Sequence, residues 1–379
     1  MASKLPREAK LFGAVSLLND FASEMVYPLL PALLTGLGAG PLALGALDGA
    51  ADFASAAVKV GSGRLADTSR RRGPLVVLGY AIAVAVRPLI SLATAASQVI
   101  VLRVTDRLGK GIRTPARDAI IADATPAELH GRAFGLQRGL DNAGAVLGPL
   151  AAWALLTTGT LDVPGVIAAS IVPGVLVLGL AVVAVRGART RAVIESHAAA
   201  AGKLRLPLPV ALVAAFSLFR LPEALMLLHA QRLGVPVAAV TLLWAAVHVA
   251  TSAASFVGGA VNDRLGSPRA LGLGWIVYAL LAAGFGFADA VWQAWALFLG
   301  LGFVVGFMEG PERALVARLG AGRQGSAFGA YHGAQGVAAL AGGLGVGLLY
   351  QTVGPLAACL TSAGGVLVLW GAWSRVTKV

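Results

Sequence analysis

The sequence predicts an all-α membrane protein of twelve transmembrane helices in two pseudo-symmetric six-helix bundles. Three observations predict it. Apolar runs long enough to cross a bilayer recur along the chain, Lys and Arg gather at alternate junctions between them, and the second half repeats landmarks of the first. Of the 379 residues, 57% are hydrophobic and only 13% charged, against about 25% charged in soluble domains. The 49 glycines suit close approach of helices in a bilayer, where small residues let backbones touch.

The spans are placed at 11–36, 41–65, 74–95, 98–121, 132–157, 163–185, 208–230, 236–261, 270–289, 292–316, 325–351 and 354–374. An even number puts both termini on one side. The junctions after spans two, four, six, eight and ten hold Arg70–Arg72, Arg132, Arg186, Arg189, Arg191, Lys203, Arg205, Arg264, Arg269, Arg318 and Arg323, while the opposite junctions hold almost none apart from Arg232. The positive-inside rule then places both termini in the cytoplasm and the protein in the cell (inner) membrane. Met1–Lys10 is short and mixed, without the pattern of a removable signal peptide. The one long polar stretch separates an N-terminal bundle, 1–186, from a C-terminal bundle, 208–379, with 187–207 as a cytoplasmic linker.

Several function classes are excluded. A single Cys359 rules out an internal disulfide and a multi-thiolate metal site. The net charge of +12 comes from basic residues that punctuate apolar runs rather than form one basic domain, which argues against nucleic acid as a partner. No H-E-x-x-H, G-x-S-x-G or Walker A pattern is present, so no enzyme and no cofactor are expected. A monomer in the lipid bilayer, handling a small-molecule substrate and protons, is the expected assembly.

Span four is the most unusual segment. Arg103, Asp106, Arg107, Lys110, Arg113, Arg117 and Asp118 fall within an arc of roughly 140° on a helical wheel. One charge at the bilayer centre costs on the order of 2.5–3.5 kcal/mol even on the most lenient scale. Seven cannot face lipid, so this stripe must face a polar pathway or partnered helices. Span one carries Asn19, Asp20, Ser23, Glu24 and Tyr27 on one face. Asp20 and Glu24 lie one turn apart, and they serve either as a proton-exchange site or as permanent partners of span four. In span two, Asp48 lies near the outer end, where water can solvate it, and shares a face with Asp52 and Lys59; Arg87, beside Pro88, is expected to neutralise one of these carboxylates. In the second half, Arg220/Glu223 and Glu309/Arg313 have the spacing of ion pairs, with Glu312, His248, His332 and Gln335 nearby in sequence or on neighbouring spans. Spans one, four, seven and ten therefore hold the expected proton and substrate pathway: Asp20, Glu24, Arg103, Asp106, Arg107, Arg113, Arg220, Glu223 and Glu309.

The halves repeat each other. Gly63-Arg64-Leu65-Ala66-Asp67 is answered 196 residues later by Gly259-Ala260-Val261-Asn262-Asp263; Pro115-Ala116-Arg117 is answered by Pro311-Glu312-Arg313, and Gly131–Gly135 by Gly325–Gly329. On these landmarks the chain resembles the major facilitator superfamily, whose loop between helices two and three reads G-x-L-A-D-R-x-G-R-R. Here Thr68 and Arg70 replace the Arg and Gly of that pattern, and the second copy keeps Asp263, Arg264 and Gly266. The resemblance implies a gating loop, Gly63, Asp67 and Arg71 with Asp263 and Arg264, in which an aspartate latches the halves by facing a helix N-terminus; an ordinary charged turn is the alternative. Arg103 and Gly109 match the family's R-x-x-Q-G-x-G helix, with Asp106 and Arg107 where Gln and Gly are usual. Gly144, Gly148 and Pro149 match the G-x-x-x-G-P signature of exporting antiporters, although a plain small-residue packing face would look the same.

The resemblance points to the proton-coupled efflux branch and implies export of a small organic molecule by alternating access. Two alternatives stay open. One is a divalent-metal exporter of the nickel and iron type, with Asp20, Glu24, His248 and His332 as ligands. The other is an importer of an anionic metabolite, favoured by the arginines of span four. The loop supplies a test of its own. Asp67→Asn, assayed for transport beside a check of protein level, is expected to lower transport while the protein still folds; wild-type transport would reduce the loop to a turn.

Overall fold

The computed structural model describes residues 5–68, 72–187, 206–319 and 324–377, and among them every regular element is helical. α1 (Arg7–Val26), a 3-10 turn (Tyr27–Leu29) and α2 (Leu30–Gly36) make the first rod. Single helices α3 (Pro41–Thr68), α5 (Ala96–Ala124) and α6 (His130–Thr157) make the second, fourth and fifth, and α4 (Arg72–Leu89) with the turn Ile90–Leu92 makes the third. The sixth is α7 (Val163–Ala169) with α8 (Ile171–Gly187), and the seventh is α9 (Leu208–Phe219) with α10 (Glu223–Arg232). The last five are α11 (Val237–Leu265), α12 (Ser267–Gly286), α13 (Val291–Leu319), α14 (Gln324–Thr352) and α15 (Pro355–Thr377). Each expected span has its rod. Among the described residues eight are long and apolar enough to cross a membrane. The other four, rods one, two, four and five, carry most of the ionisable side chains of the first half. Large apolar side chains such as Phe256, Leu280 and Val368 stand exposed on the rods, as a lipid-facing surface requires.

Prolines and glycines set the interruptions. Pro28 opens the 3-10 turn after α1. Arg220 and Pro222 take extended conformations and part α9 from α10. Gly266, at φ 78°, ends α11 directly before Ser267 opens α12; a positive φ is strained for a side-chain-bearing residue. Asp162 caps α7 by accepting the Gly165 amide at 2.8 Å.

The chain forms two compact units, Met1–Leu33 with Ala54–Ala198 and Leu34–Phe53 with Ala199–Val379. In the first, Ala9, Phe12 and Val15 of α1 pack with Val76 and Tyr80 of α4, Ala116, Ile120 and Ile121 of α5, and Val177, Ala181 and Ala184 of α8. Two seams are backbone to backbone. A Cβ on Gly144 would lie 2.1 Å from the Leu17 carbonyl oxygen, and one on Gly148 2.3 Å from that of Phe21. Because both pairs step forward by four residues, α1 and α6 run parallel. Gly79 of α4 and Gly109 of α5 meet in the same way, each Cβ position falling within 3 Å of the other's carbonyl oxygen.

In the second unit Phe216 stacks on Trp275, which meets Trp373. His229 ties three helices: one ring nitrogen lies 3.1 Å from the Phe285 carbonyl and the other 2.9 Å from the Tyr350 hydroxyl. A carbonyl only accepts, so Nε2 carries the hydrogen, and in the neutral ring Nδ1 accepts from Tyr350. Residues 34–53 belong to this unit. Gly45 there lies against the Gly343 backbone, and Asp48 accepts the Ala224 amide of α10 at 2.8 Å. Asp48 is therefore a cap on a broken helix, in place of the solvated outer residue expected.

The α1–α6 seam yields a contrast. Gly148→Leu is expected to lower stability by about 1–3 kcal/mol or more, since a backbone carbonyl cannot move aside as a side chain can. Gly139→Ala, on the same helix with open space around its Cβ position, should leave stability unchanged or raise it by up to about 1 kcal/mol. Unfolding midpoints in detergent check both.

Candidate functional site

The stripe of α5 is resolved into two layers. The inner layer is a lock of arginines in the first unit. Asp106 is 1% exposed and Arg87, Arg103 and Arg113 are 4% or less. Arg87 donates from Nε to Asp106 Oδ1 at 2.9 Å, and its two terminal nitrogens donate to the carbonyl and side-chain oxygens of Asn19, each at 3.1 Å. Arg103 adds a 3.5 Å contact to Asp106 Oδ2 and lies over the Tyr27 ring at 4.7 Å. Arg113 lies over Tyr80 at 4.6 Å and donates to the Gly79 carbonyl at 3.3 Å. Arg117 is held by Asp118 at 2.9 Å and by Ser16, whose hydroxyl also accepts from Gln137. Cation–π contacts and charge-assisted hydrogen bonds are how a guanidinium survives without bulk water. Ser23 Oγ, Arg103 Nε and Asp106 Oδ2 make no hydrogen bond to the described residues. Asn19, Ser23 and Tyr27 follow at steps of four along one face of α1, so Ser23 lies beside this lock.

The outer layer is half-buried: Asp20 and Glu24 of α1, Lys59 of α3, Arg107 and Lys110 of α5, and Asp141 of α6. Lys110 interacts electrostatically with Arg107, Asp20, Lys59 and Asp141. Asp141 interacts with Asp20, Arg117, Lys110 and Arg138, and Glu24 with Arg103. Three carboxylates and three cations make this layer balanced in charge, whereas the lock beneath it is strongly cationic.

In the second unit, Arg220 at the end of α9 pairs with Glu223 at the start of α10, and Arg313 pairs with Glu309 within α13. Tyr331 donates to Glu312 at 3.1 Å, and Ser255 donates to Glu309 at 3.4 Å. Arg220 also interacts with Asp52, Glu312 and the Tyr278 hydroxyl. Four carboxylates thus share two arginines. His332 lies 3.3 Å from the Gln335 side chain, and His248 packs edge-on to Trp244.

The expected residues are distributed unevenly. Asp20, Glu24, Arg103, Asp106 and Arg107 come together in the first unit, and Arg220, Glu223 and Glu309 in the second. Arg113 turns toward α4, away from the Asp20 layer. Arg87 neutralises Asp106 of α5 instead of a span-two carboxylate. Gly144 and Gly148 are the packing seam of α6 on α1, and Pro149 sits inside that helix. Asp263 and Arg264 are exposed at the end of α11, while the side chains of Gly63, Asp67 and Arg71 lie outside the described residues, as does most of the linker. Sequence reasoning missed Asp141 and the Tyr331 partner of Glu312. A signal for Asp141 existed: Gln137, Asp141, Gly144 and Gly148 follow one face of the fifth span.

The lock makes a stability prediction. Arg87→Met alone is expected to lower stability by about 3–5 kcal/mol, because it strands a buried Asp106. Adding Asp106→Leu should restore much of that loss in a thermal-unfolding series, since it removes the charge left unpaired.

With this geometry in view, the chain was compared with known proteins. The family model described as Major Facilitator Superfamily matches residues 12–343. An uncharacterized MFS-type transporter of Methanocaldococcus jannaschii is 29% identical over 364 residues, covering 92% of this chain and 89% of that protein. An uncharacterized protein of Mycobacterium tuberculosis is 31% identical over 358 residues, covering 91% and 87%. Among solved structures, the nucleoside transporter NupG superposes with a TM-score of 0.77 at 12% identity over 98% of this chain and 100% of that one. A bacterial homologue of the human lysosomal transporter Spinster gives 0.71 at 15% over 97% and 93%. Such identities carry the fold alone. The matched model spans most of the chain, so the protein belongs to the major facilitator superfamily: it is an integral membrane transporter.

Proposed function

We propose that the protein is a secondary active exporter that exchanges a small organic molecule for protons by alternating access, in the cell (inner) membrane with both termini in the cytoplasm. The observation that carries this reading is the half-buried layer of Asp20, Glu24 and Asp141 beside Lys110 and Arg107. Half-buried carboxylates inside a membrane-spanning bundle can exchange a proton; a fully buried carboxylate between two arginines, such as Asp106, cannot do so readily. Charge balance in this layer supports a cationic or amphiphilic substrate, because the arginines that favoured an anionic metabolite are largely engaged by Asp106, Tyr27, Tyr80, Asp118 and Ser16. Export is assigned from the position of the Gly144–Pro149 motif in the fifth span.

The metal-exporter reading receives less support. Among the described residues no group of three or more His, Cys, Asp and Glu could hold a metal ion.

Everted membrane vesicles test the proposal. With an acid interior monitored by a quenched acridine dye, ethidium is expected to restore fluorescence in vesicles holding the wild-type protein, and Asp20→Asn to abolish that response at equal protein level. A response to nickel alone would favour the metal reading. Silence toward ethidium, other organic cations and nickel would overturn proton-coupled export.

A further inference from the structure

We infer that Ser23, Arg103 and Asp106 form a closed binding site for one water molecule, which joins α1 to α5 inside the arginine lock. The site is independent of the substrate and the direction of transport.

Contacts on either side fix the position of Ser23. Asn19, Ser23 and Tyr27 follow one another at intervals of about 6 Å along one face of α1. The helical path holds through this stretch, since Tyr27 keeps helical dihedral angles and its amide bonds to the Ser23 carbonyl. One turn before Ser23, Arg87 is held by both oxygens of Asn19 at 3.1 Å. One turn after it, Arg103 lies over the Tyr27 ring at 4.7 Å. The two arginines converge on one carboxylate. Arg87 Nε donates to Asp106 Oδ1 at 2.9 Å, and Arg103 approaches Oδ2 to 3.5 Å. Asp106 therefore stands between the levels of Asn19 and Tyr27, which is the level of Ser23.

Three polar atoms at this level make no hydrogen bond to the described residues: Ser23 Oγ, Arg103 Nε and Asp106 Oδ2. Their residues are buried, so bulk water does not answer them. Hydroxyls inside a helix commonly bond back to the carbonyl four residues earlier, as those of Thr105, Thr114 and Ser255 do here. Ser23 does not, and the carbonyl it would use, that of Asn19, already accepts from Arg87. A buried donor or acceptor left unpaired is destabilising, and three of them together call for an occupant.

The chemistry of the three atoms selects that occupant. Arg103 Nε only donates, the Asp106 carboxylate only accepts, and the Ser23 hydroxyl does either. An anion would answer the guanidinium and be repelled by the carboxylate. A metal ion would answer the two oxygens and be repelled by the guanidinium. A water molecule accepts from Arg103, donates to Asp106 and takes a third bond with Ser23, the number that a buried water typically makes. The water also explains how two arginines share one carboxylate. At 3.5 Å the direct approach of Arg103 is longer than a charge-assisted hydrogen bond, and its Nε reaches Oδ2 through the water instead. Ser23 carries no charge, yet it helps to hold Arg103 over Tyr27.

A crystal structure of the full chain in lipid, at a resolution that shows ordered water, reads the site directly. One density peak within hydrogen-bond distance of all three atoms is expected. A direct bond from Ser23 Oγ to Asp106 Oδ2, or three atoms with no density between them, would overturn the site. Unfolding midpoints of the purified protein give a second reading, by their sign. Ser23→Ala is expected to lower the midpoint by about 1–2 °C or more, because the water loses one of its three partners. A hydroxyl that bonds to nothing gives the opposite sign, since its removal relieves an unpaired buried group. A midpoint that stays or rises in Ser23→Ala therefore also overturns the proposal.

Discussion

A guanidinium in hydrocarbon has nowhere to leave its hydrogen bonds, and much of the first unit can be understood as an answer to that fact. α5 brings Arg103, Arg113 and Arg117 into a membrane-spanning bundle and α4 brings Arg87. Each finds a planar or anionic partner: Tyr27, Tyr80, Asp118 and Asp106. Cation–π contacts of this kind contribute about 0.5–2 kcal/mol each, less than the cost of a bare charge at the bilayer centre. Hydrogen bonds to Asn19, Gly79 and Ser16 add to them. Gly79 and Gly109 bring α4 and α5 into backbone contact along the same pair of helices that Arg87 and Asp106 bridge.

The same constraint separates fully buried ions from half-buried ones. Asp106 is held by two arginines and is almost fully buried, so changing its charge would unravel contacts on three helices. Asp20, Glu24 and Asp141 remain half-buried. In the second unit the balance is reversed, with Asp52, Glu223, Glu309 and Glu312 set among two arginines and the hydroxyls of Tyr278, Tyr331 and Ser255. Each unit thus carries an ionic cluster of its own sign, and neither is neutralised in a way that immobilises all of its members.

The rods were legible in the sequence because a bilayer demands long apolar runs, and the alternating basic junctions delimit them. The inward turn of α5 was legible too, since Arg103, Asp106, Arg113 and Arg117 cannot face lipid. Pairing was less so. That Arg87 meets Asp106, in preference to Asp48 or Asp52, depends on the rotation of α4 against α5, which the glycine contact sets and which leaves only a faint trace in residue spacing. Asp48 read as solvated because the broken seventh span creates a free amide at Ala224 that no local pattern announces. Asp141 escaped notice as one acid in a stretch dominated by small and apolar residues, although Gln137, Gly144 and Gly148 mark its face.

The interruption at Arg220–Pro222 has a further consequence. It places the negative pole of one helix and the positive pole of the next within a few residues, inside a single span. Arg220 stands at the carbonyl-rich end of α9 and Glu223 at the amide-rich start of α10, each where the backbone field favours its sign by about 0.3–2 kcal/mol. Exchanging the two side chains would keep an ion pair of the same composition yet set both charges against that field. The polarity of this pair is therefore written in the peptide groups, and the side chains follow it.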